Sequence, residues 1–149
     1  MGRFGRSILD TERVSMTDKM FGILCAGSAE EETLIVSTII GNLIAAGCIE
    51  QNLKIRKVPS TENIPLGVLF FAEYTDVDAV IVLSFGERVP EYIRKSVVDL
   101  QIQWNMPTIF GTITNYRTVH EEAMDMISLQ EIMEIESDEM ANPDRRSIN

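Results

Sequence analysis

Few side chains in this sequence have the chemistry of a general base, a nucleophile or a metal ligand. The single histidine, His120, stands beside two glutamates at the start of the last predicted helix. No serine, cysteine or second histidine lies near it in the sequence. The pattern therefore indicates a surface residue at a helix terminus, and neither the base of a nucleophile nor a metal ligand.

Both cysteines fall in apolar segments. Cys25 lies inside a predicted strand and Cys48 at the end of a predicted helix, and neither has a neighbour at metal-ligand spacing. Each is predicted to be a buried and unreactive thiol. The sequence therefore predicts no metal centre.

Composition limits the class of protein. A chain of 149 residues with 45% hydrophobic content predicts one soluble domain. Its net charge of -10 argues against nucleic acid and anionic membranes, which clustered lysines and arginines bind. Residues 33–49 are apolar but fall short of the roughly 20 residues of a membrane span, so they predict a helix buried on nearly all sides. The N-terminal segment does not resemble a secretory signal, and we expect a cytoplasmic protein.

The elements that would position any site alternate between strand and helix, which predicts a parallel α/β sheet. The predicted strands are residues 21–25, 53–57, 79–83 and 108–112. The second alternates between apolar and charged residues and is expected near a sheet edge. One domain is predicted over residues 20–142, with an arm over residues 1–19 and a tail over residues 143–149.

A ligand site is expected outside the carboxyl ends of these strands, where open parallel sheets bind their ligands. The loops there are residues 26–28, 59–63, 84–91 and 112–117. Any binding or catalytic group is therefore sought among them.

Three motifs in this framework resemble the lumazine synthase family. Residues 58–66 read VPSTENIPL, residues 78–84 read DAVIVLS and residues 106–111 read MPTIFG. They follow the order of the family's V-P-G-[AS]-F-E-I-P-L, D-A-V-I-A-L-G and V-P-V-I-F-G motifs. The resemblance implies a flavodoxin-like, three-layer αβα sandwich with a four-stranded parallel sheet, assembled into a pentamer-based homo-oligomer.

Enzymes of that family join a ribitylamino-pyrimidine to a four-carbon keto-phosphate without a cofactor, at a site shared between subunits. By resemblance, the substrate-binding positions are Ser28, Ser60, Thr61, Glu62, Asn63, Phe110 and Arg117. Asn63 has an alternative role as a helix cap, which we favour. The family's aromatic plate after the first strand has no counterpart in residues 26–29.

The family's catalytic histidine has no counterpart either. Its loop corresponds to residues 86–92, where Glu91, or Tyr92 in another alignment, takes the place of the histidine. A glutamate carboxyl, with an ordinary pKa of about 4.3, shuttles protons poorly near neutral pH. The family's glycine-rich phosphate loop is absent, which leaves Arg117, or alternatively Arg88 and Arg94, as cations for a phosphate.

Three hypotheses follow from this mixture of retained framework and lost site. We favour a lumazine-synthase-like protein without catalysis, which forms an oligomeric assembly or binds a flavin-like or pterin-like ligand. The alternative is an active 6,7-dimethyl-8-ribityllumazine synthase with Glu91 or Tyr92 at the reacting centre. The third hypothesis is an unrelated flavodoxin-like domain, although this chain has neither an acidic pair nor a phosphate loop after its first strand.

Overall fold

A computed structural model describes residues 14–86 and 88–141 of the chain. Strands and helices alternate along them. The strands are β1 (Phe21–Ala26), β2 (Leu53–Val58), β3 (Ala79–Ser84) and β4 (Thr108–Gly111). The helices are α1 (Glu32–Ala45), α2 (Ile64–Tyr74), α3 (Glu91–Trp104) and α4 (Val119–Ala141). Short 3-10 turns at Glu50–Asn52 and Thr61–Asn63 precede β2 and α2.

The four strands form one parallel sheet in the order β2-β1-β3-β4. Phe21 of β1 lies opposite Leu53 of β2 and Ala79 of β3, and Val80 of β3 lies opposite Thr108 of β4. The predicted α/β class and its four-stranded parallel sheet are therefore confirmed. The alternating strand, β2, lies at an edge as its pattern predicts.

Helices cover both faces of the sheet, which makes three layers. One core joins α1 and α4 to the sheet through residues such as Ile39, Ile81 and Ile127. The other core joins α2 and α3 to the opposite face through residues such as Phe71, Val82 and Val97. Because β1 and β3 are buried on both faces, nearly all of their residues are apolar.

Two glycines allow α2 to approach β1 closely. A Cβ atom at Gly22 of β1 would lie 2.8 Å from ring atoms of Phe71, and one at Gly67 of α2 would lie 2.7 Å from methyl groups of Leu24. Each glycine therefore supplies the space that a large side chain on the other element fills.

The prediction that residues 33–49 form a helix buried on nearly all sides is wrong. In α1, Ile35, Ile39 and Leu43 are buried at spacings of four, whereas Leu34 and Ile44 are exposed. Val36 and Ile40 are partly buried against the same core, so the helix packs on the sheet by one face while Leu34 and Ile44 face away from it. No helix among the described residues is long and apolar enough to span a membrane.

The last part of the predicted N-terminal arm packs against α4. The N–H of Val14 donates to Oγ of Ser128 at 3.0 Å, and Met16 is buried in the core beside α1 and α4. The ammonium of Lys19 pairs with Glu131. Residues 1–13 of the arm, and the predicted tail over residues 143–149, lie outside the described residues.

Candidate functional site

A cavity of about 430 Å³ opens at the carboxyl ends of the strands. Its walls come from the loops that follow β1, β3 and β4, and from the first turns of α1 and α3. The wall residues that matter most chemically are Glu31, Arg88, Arg94, Phe110 and Thr112. The cavity therefore lies where a parallel sheet is expected to bind a ligand.

The loops after β1 and β3 are fixed against each other beside this cavity. The N–H of Gly27 donates to the carbonyl oxygen of Val58 at 3.0 Å, and the N–H of Phe85 donates to that of Ala26 at 2.9 Å. Gly27 has a φ of 79°, and a Cβ atom there would lie 2.8 Å from the carbonyl oxygen of Phe85. This close contact requires glycine at position 27.

The loop after β4 forms a hydrogen-bonded turn. The N–H of Thr112 donates to Oδ1 of Asn115 at 2.6 Å, and the N–H of Asn115 donates to Oγ1 of Thr112 at 3.2 Å. The N–H of Tyr116, a buried residue, donates to the carbonyl oxygen of Thr112 at 3.0 Å. The turn holds Thr112 and Ile113 in place at the cavity wall.

Two arginines bring positive charge to the cavity. The guanidinium carbon of Arg94 lies 4.5 Å from the centroid of the Phe110 ring, which is a cation–π contact. Arg88 is exposed on the loop after β3. Within residues 14–86 and 88–141, neither arginine forms an ion pair with a carboxylate.

Of the residues that the sequence predicted as substrate-binding, Phe110 lines this cavity. Ser28 is exposed on the loop after β1 and is not part of the wall. The guanidinium of Arg117 stacks on its neighbour Tyr116 at 4.6 Å from the ring centroid, outside the cavity. The structure therefore does not bring Ser28 and Arg117 together with Phe110 in one pocket.

The predicted residues between β2 and α2 mainly satisfy their own turn. Oδ1 of Asn63 accepts hydrogen bonds from the N–H and from the hydroxyl of Ser60, both at 3.1 Å. Thr61 is buried. Asn63 stands at the N-cap position of α2, as the favoured interpretation requires, but its side chain makes no capping hydrogen bond to that helix; it closes the capping box of the 3-10 turn at Thr61–Asn63.

The predicted catalytic residues lie outside the cavity as well. Glu91 and Tyr92 are exposed in the first turn of α3. The hydroxyl of Tyr92 donates to the carboxylate of Glu62, and this hydrogen bond raises the pKa of Tyr92 above its ordinary value. A hydroxyl with a raised pKa is less able to give up a proton near neutral pH.

The remaining candidates are His120 and the two cysteines. His120 is half-buried in the first turn of α4. Burial raises the pKa of Cys25 and that of Cys48 to about 11, so both thiols are protonated near neutral pH. Among the described residues, no group of three or more His, Cys, Asp or Glu side chains is arranged to hold a metal ion.

No family model and no curated protein matches this chain. The resemblance to lumazine synthases therefore rests on the three sequence motifs.

Sequence reasoning placed Arg88 and Arg94 only as alternatives to Arg117. The signal that distinguishes them is the position of Arg94, three residues into a helix that begins at the carboxyl end of β3. A side chain on the first turn of such a helix lies close to the end of the sheet. Which side of that turn faces the cavity depends on the residue at which α3 starts. The sequence of the preceding loop does not determine that residue.

A second cavity, of about 390 Å³, lies at the amino end of β4. Met106 and Pro107, which precede β4, form one wall, and Met126 and Leu129 of α4 form another. The amino ends of parallel strands are not where such sheets bind their ligands. The cavity at the carboxyl ends is therefore the better candidate site.

Proposed function

We propose that this chain is a lumazine-synthase-like protein that binds a phosphorylated ribityl or flavin-like ligand without catalysing a reaction. The observation that carries the proposal is the cavity at the carboxyl ends of the strands, which Arg88 lines together with Arg94 and the Phe110 ring that Arg94 contacts. Its volume of about 430 Å³ is suited to a small molecule, since ligand pockets typically measure about 300–1,000 Å³.

The arrangement of Arg94 supports an anionic ligand. A guanidinium that stacks on a ring uses its flat face, so that its N–H donors point outward in the plane. Those donors fit the oxygens of a phosphate in a bidentate contact. In a chain of net charge -10, two arginines without carboxylate ion pairs in the described residues form a local attraction for an anion, since they outnumber Glu31, the one described carboxylate of the wall.

The lack of a histidine in the described part of the cavity wall supports binding rather than catalysis. Among the described residues that line the cavity there is no histidine. Glu91 and Tyr92, which the resemblance puts in its place, lie outside the wall. Lumazine formation requires a group that moves protons near neutral pH.

The proposal includes a homo-oligomer, built from pentamers as the resemblance implies, in the cytoplasm. Large apolar side chains that remain exposed on α1, α2, α3 and α4 of the single chain support association.

Titration with riboflavin and with its 5′-phosphate, followed by flavin fluorescence, tests the ligand. We expect saturable binding of both, with the phosphate ester bound at least about 10-fold more tightly, because a hydrogen bond to a charged group contributes roughly 1.5–3 kcal/mol. The Arg94→Gln variant is expected to lose about 10-fold in affinity for the phosphate ester and little for riboflavin.

The matched control is Arg117→Gln, which removes an arginine stacked on a ring outside the cavity. It is expected to leave both affinities unchanged. Binding of neither flavin would contradict the proposed function. A loss with Arg117→Gln but not with Arg94→Gln would move the phosphate to the position that the resemblance assigned.

A further inference from the structure

Cations of β2 and apolar side chains of α2 share one surface. Leu66, Phe70 and Tyr74 are 68%, 38% and 71% exposed and follow each other at spacings of four, on one side of α2. The guanidinium carbon of Arg56 lies 5.9 Å from the centroid of the Phe70 ring, which places the edge strand beside this stripe. Glu73, which is hydrogen-bonded to Tyr74, adds one carboxylate beside the two cations. We call Lys54, Arg56, Leu66, Phe70 and Tyr74 the basic face.

The end of α4 is negatively charged, in contrast to the basic face. Residues 133–141 are exposed on every side of the helix, although they include Met133, Ile135 and Met140. Met133, Glu136 and Met140 follow at spacings of three and four and so share one side. Glu139 is exposed beside them. We call residues 133–141 the α4 overhang.

The overhang has little support from its own chain. Met133, Glu134 and Ser137 line the cavity beside Met106 and Pro107, but residues 133–141 all remain exposed. Helices in proteins gain most of their stability from packing an apolar face, so a weakly packed helix end is marginal in water. Its methionines are flexible apolar side chains that adapt to an irregular partner surface. A surface that buries Met133 and Met140 would therefore stabilise the helix end.

We propose that the basic face of one copy of this chain receives the α4 overhang of a second copy. Lys54 and Arg56 would meet Glu136 and Glu139, while Phe70 and Tyr74 would cover the methionines. Two copies of net charge -10 repel each other over most of their surfaces, so the basic face is where an acidic helix is attracted.

The contact has a consequence for symmetry. The basic face and the overhang are different surfaces of the same chain, so the contact is heterologous. A pair of copies then keeps one free face on one copy and one free overhang on the other, and repetition closes a ring or extends a filament. This inference rests on the homo-oligomer in the proposed function and names the surfaces that would form it.

Light scattering after size exclusion tests the pairing by charge reversal. The Lys54→Glu/Arg56→Glu variant and the Glu136→Lys/Glu139→Lys variant are each expected to shift from oligomer to monomer. A chain that carries all four changes restores opposite charges across the contact and is expected to recover the oligomer. Lys95→Glu reverses an exposed cation of α3, outside both surfaces, and is expected to change nothing.

The outcomes separate this inference from the proposed function. A wild-type chain that is monomeric would overturn the homo-oligomer itself, and the pairing with it. A wild-type oligomer that survives either double reversal would overturn the pairing alone. The pairing is also wrong if both double reversals give folded monomers, by circular dichroism, but the fourfold variant stays monomeric.

Discussion

The Leu43→Ala variant is expected to unfold with a free energy about 3–5 kcal/mol lower than that of the wild-type chain. Leu43 is 0% exposed and lies in the core between α1 and the sheet. Replacing a buried leucine with alanine removes its favourable transfer from water and leaves a cavity, and measured costs are about 2.7–5.0 kcal/mol. Urea unfolding followed by circular dichroism measures the difference.

Leu34→Ala is the matched control, since it changes the same residue type on the same helix. Leu34 is 58% exposed, and its replacement is expected to cost less than about 1 kcal/mol. Equal costs at the two positions would mean that α1 is buried on both sides. That result would restore the expectation drawn from its sequence.

The second large effect is expected at Gly27, where alanine should cost about 2–5 kcal/mol of folding stability. Two penalties combine there. A residue with a side chain costs roughly 1–2 kcal/mol in a left-handed conformation, and Gly27 has a φ of 79°. The added Cβ atom would also lie 2.8 Å from the carbonyl oxygen of Phe85, and such overpacking costs typically about 1–3 kcal/mol.

Gly86→Ala separates these two penalties. Gly86 has a φ of 91°, but the nearest atom to an added Cβ would be the carbonyl oxygen of Ser28, at 3.9 Å. Only the conformational penalty is then expected, and chemical denaturation should place this variant between wild type and Gly27→Ala. If the two variants lose the same stability, the loops after β1 and β3 are not in close contact.

The strands could be predicted because their sequences reflect their burial. β1 and β3 are covered on both faces, so their residues form continuous apolar runs. β2 is an edge strand and alternates. The turn before α2 could be predicted equally well from its motif, because Ser60 and Asn63 stabilise it through local hydrogen bonds.

The surroundings of the apolar helices could not be predicted in the same way. The 33–49 segment is apolar nearly throughout, which does not distinguish a helix buried in its own chain from one with a free apolar side. Leu34 and Ile44 of α1 are exposed in the single chain. Apolar content alone therefore overestimated burial at this helix.

The candidate cavity lies at loops that the sequence predicts, but most of the side chains predicted for the site do not line it. The position of the cavity at the carboxyl ends of the strands could be predicted from the strand directions, and Phe110 could be predicted from the motif of the last strand. Tyr92 and Arg117 lie near the expected loops. However, the Tyr92 hydroxyl is hydrogen-bonded to Glu62, and the Arg117 guanidinium lies over the Tyr116 ring. Side-chain direction in a loop depends on turn geometry, which the sequence fixes only where a motif is complete.

The central claim, a ligand site without catalysis on this fold, is tested most directly by an assay of lumazine formation. The purified protein is mixed with the ribitylamino-pyrimidine and the four-carbon keto-phosphate, and lumazine absorbance is followed over time. We predict a rate equal to that of buffer alone. A faster rate that falls in the Glu91→Gln variant would contradict the claim and show an enzyme with a rebuilt site.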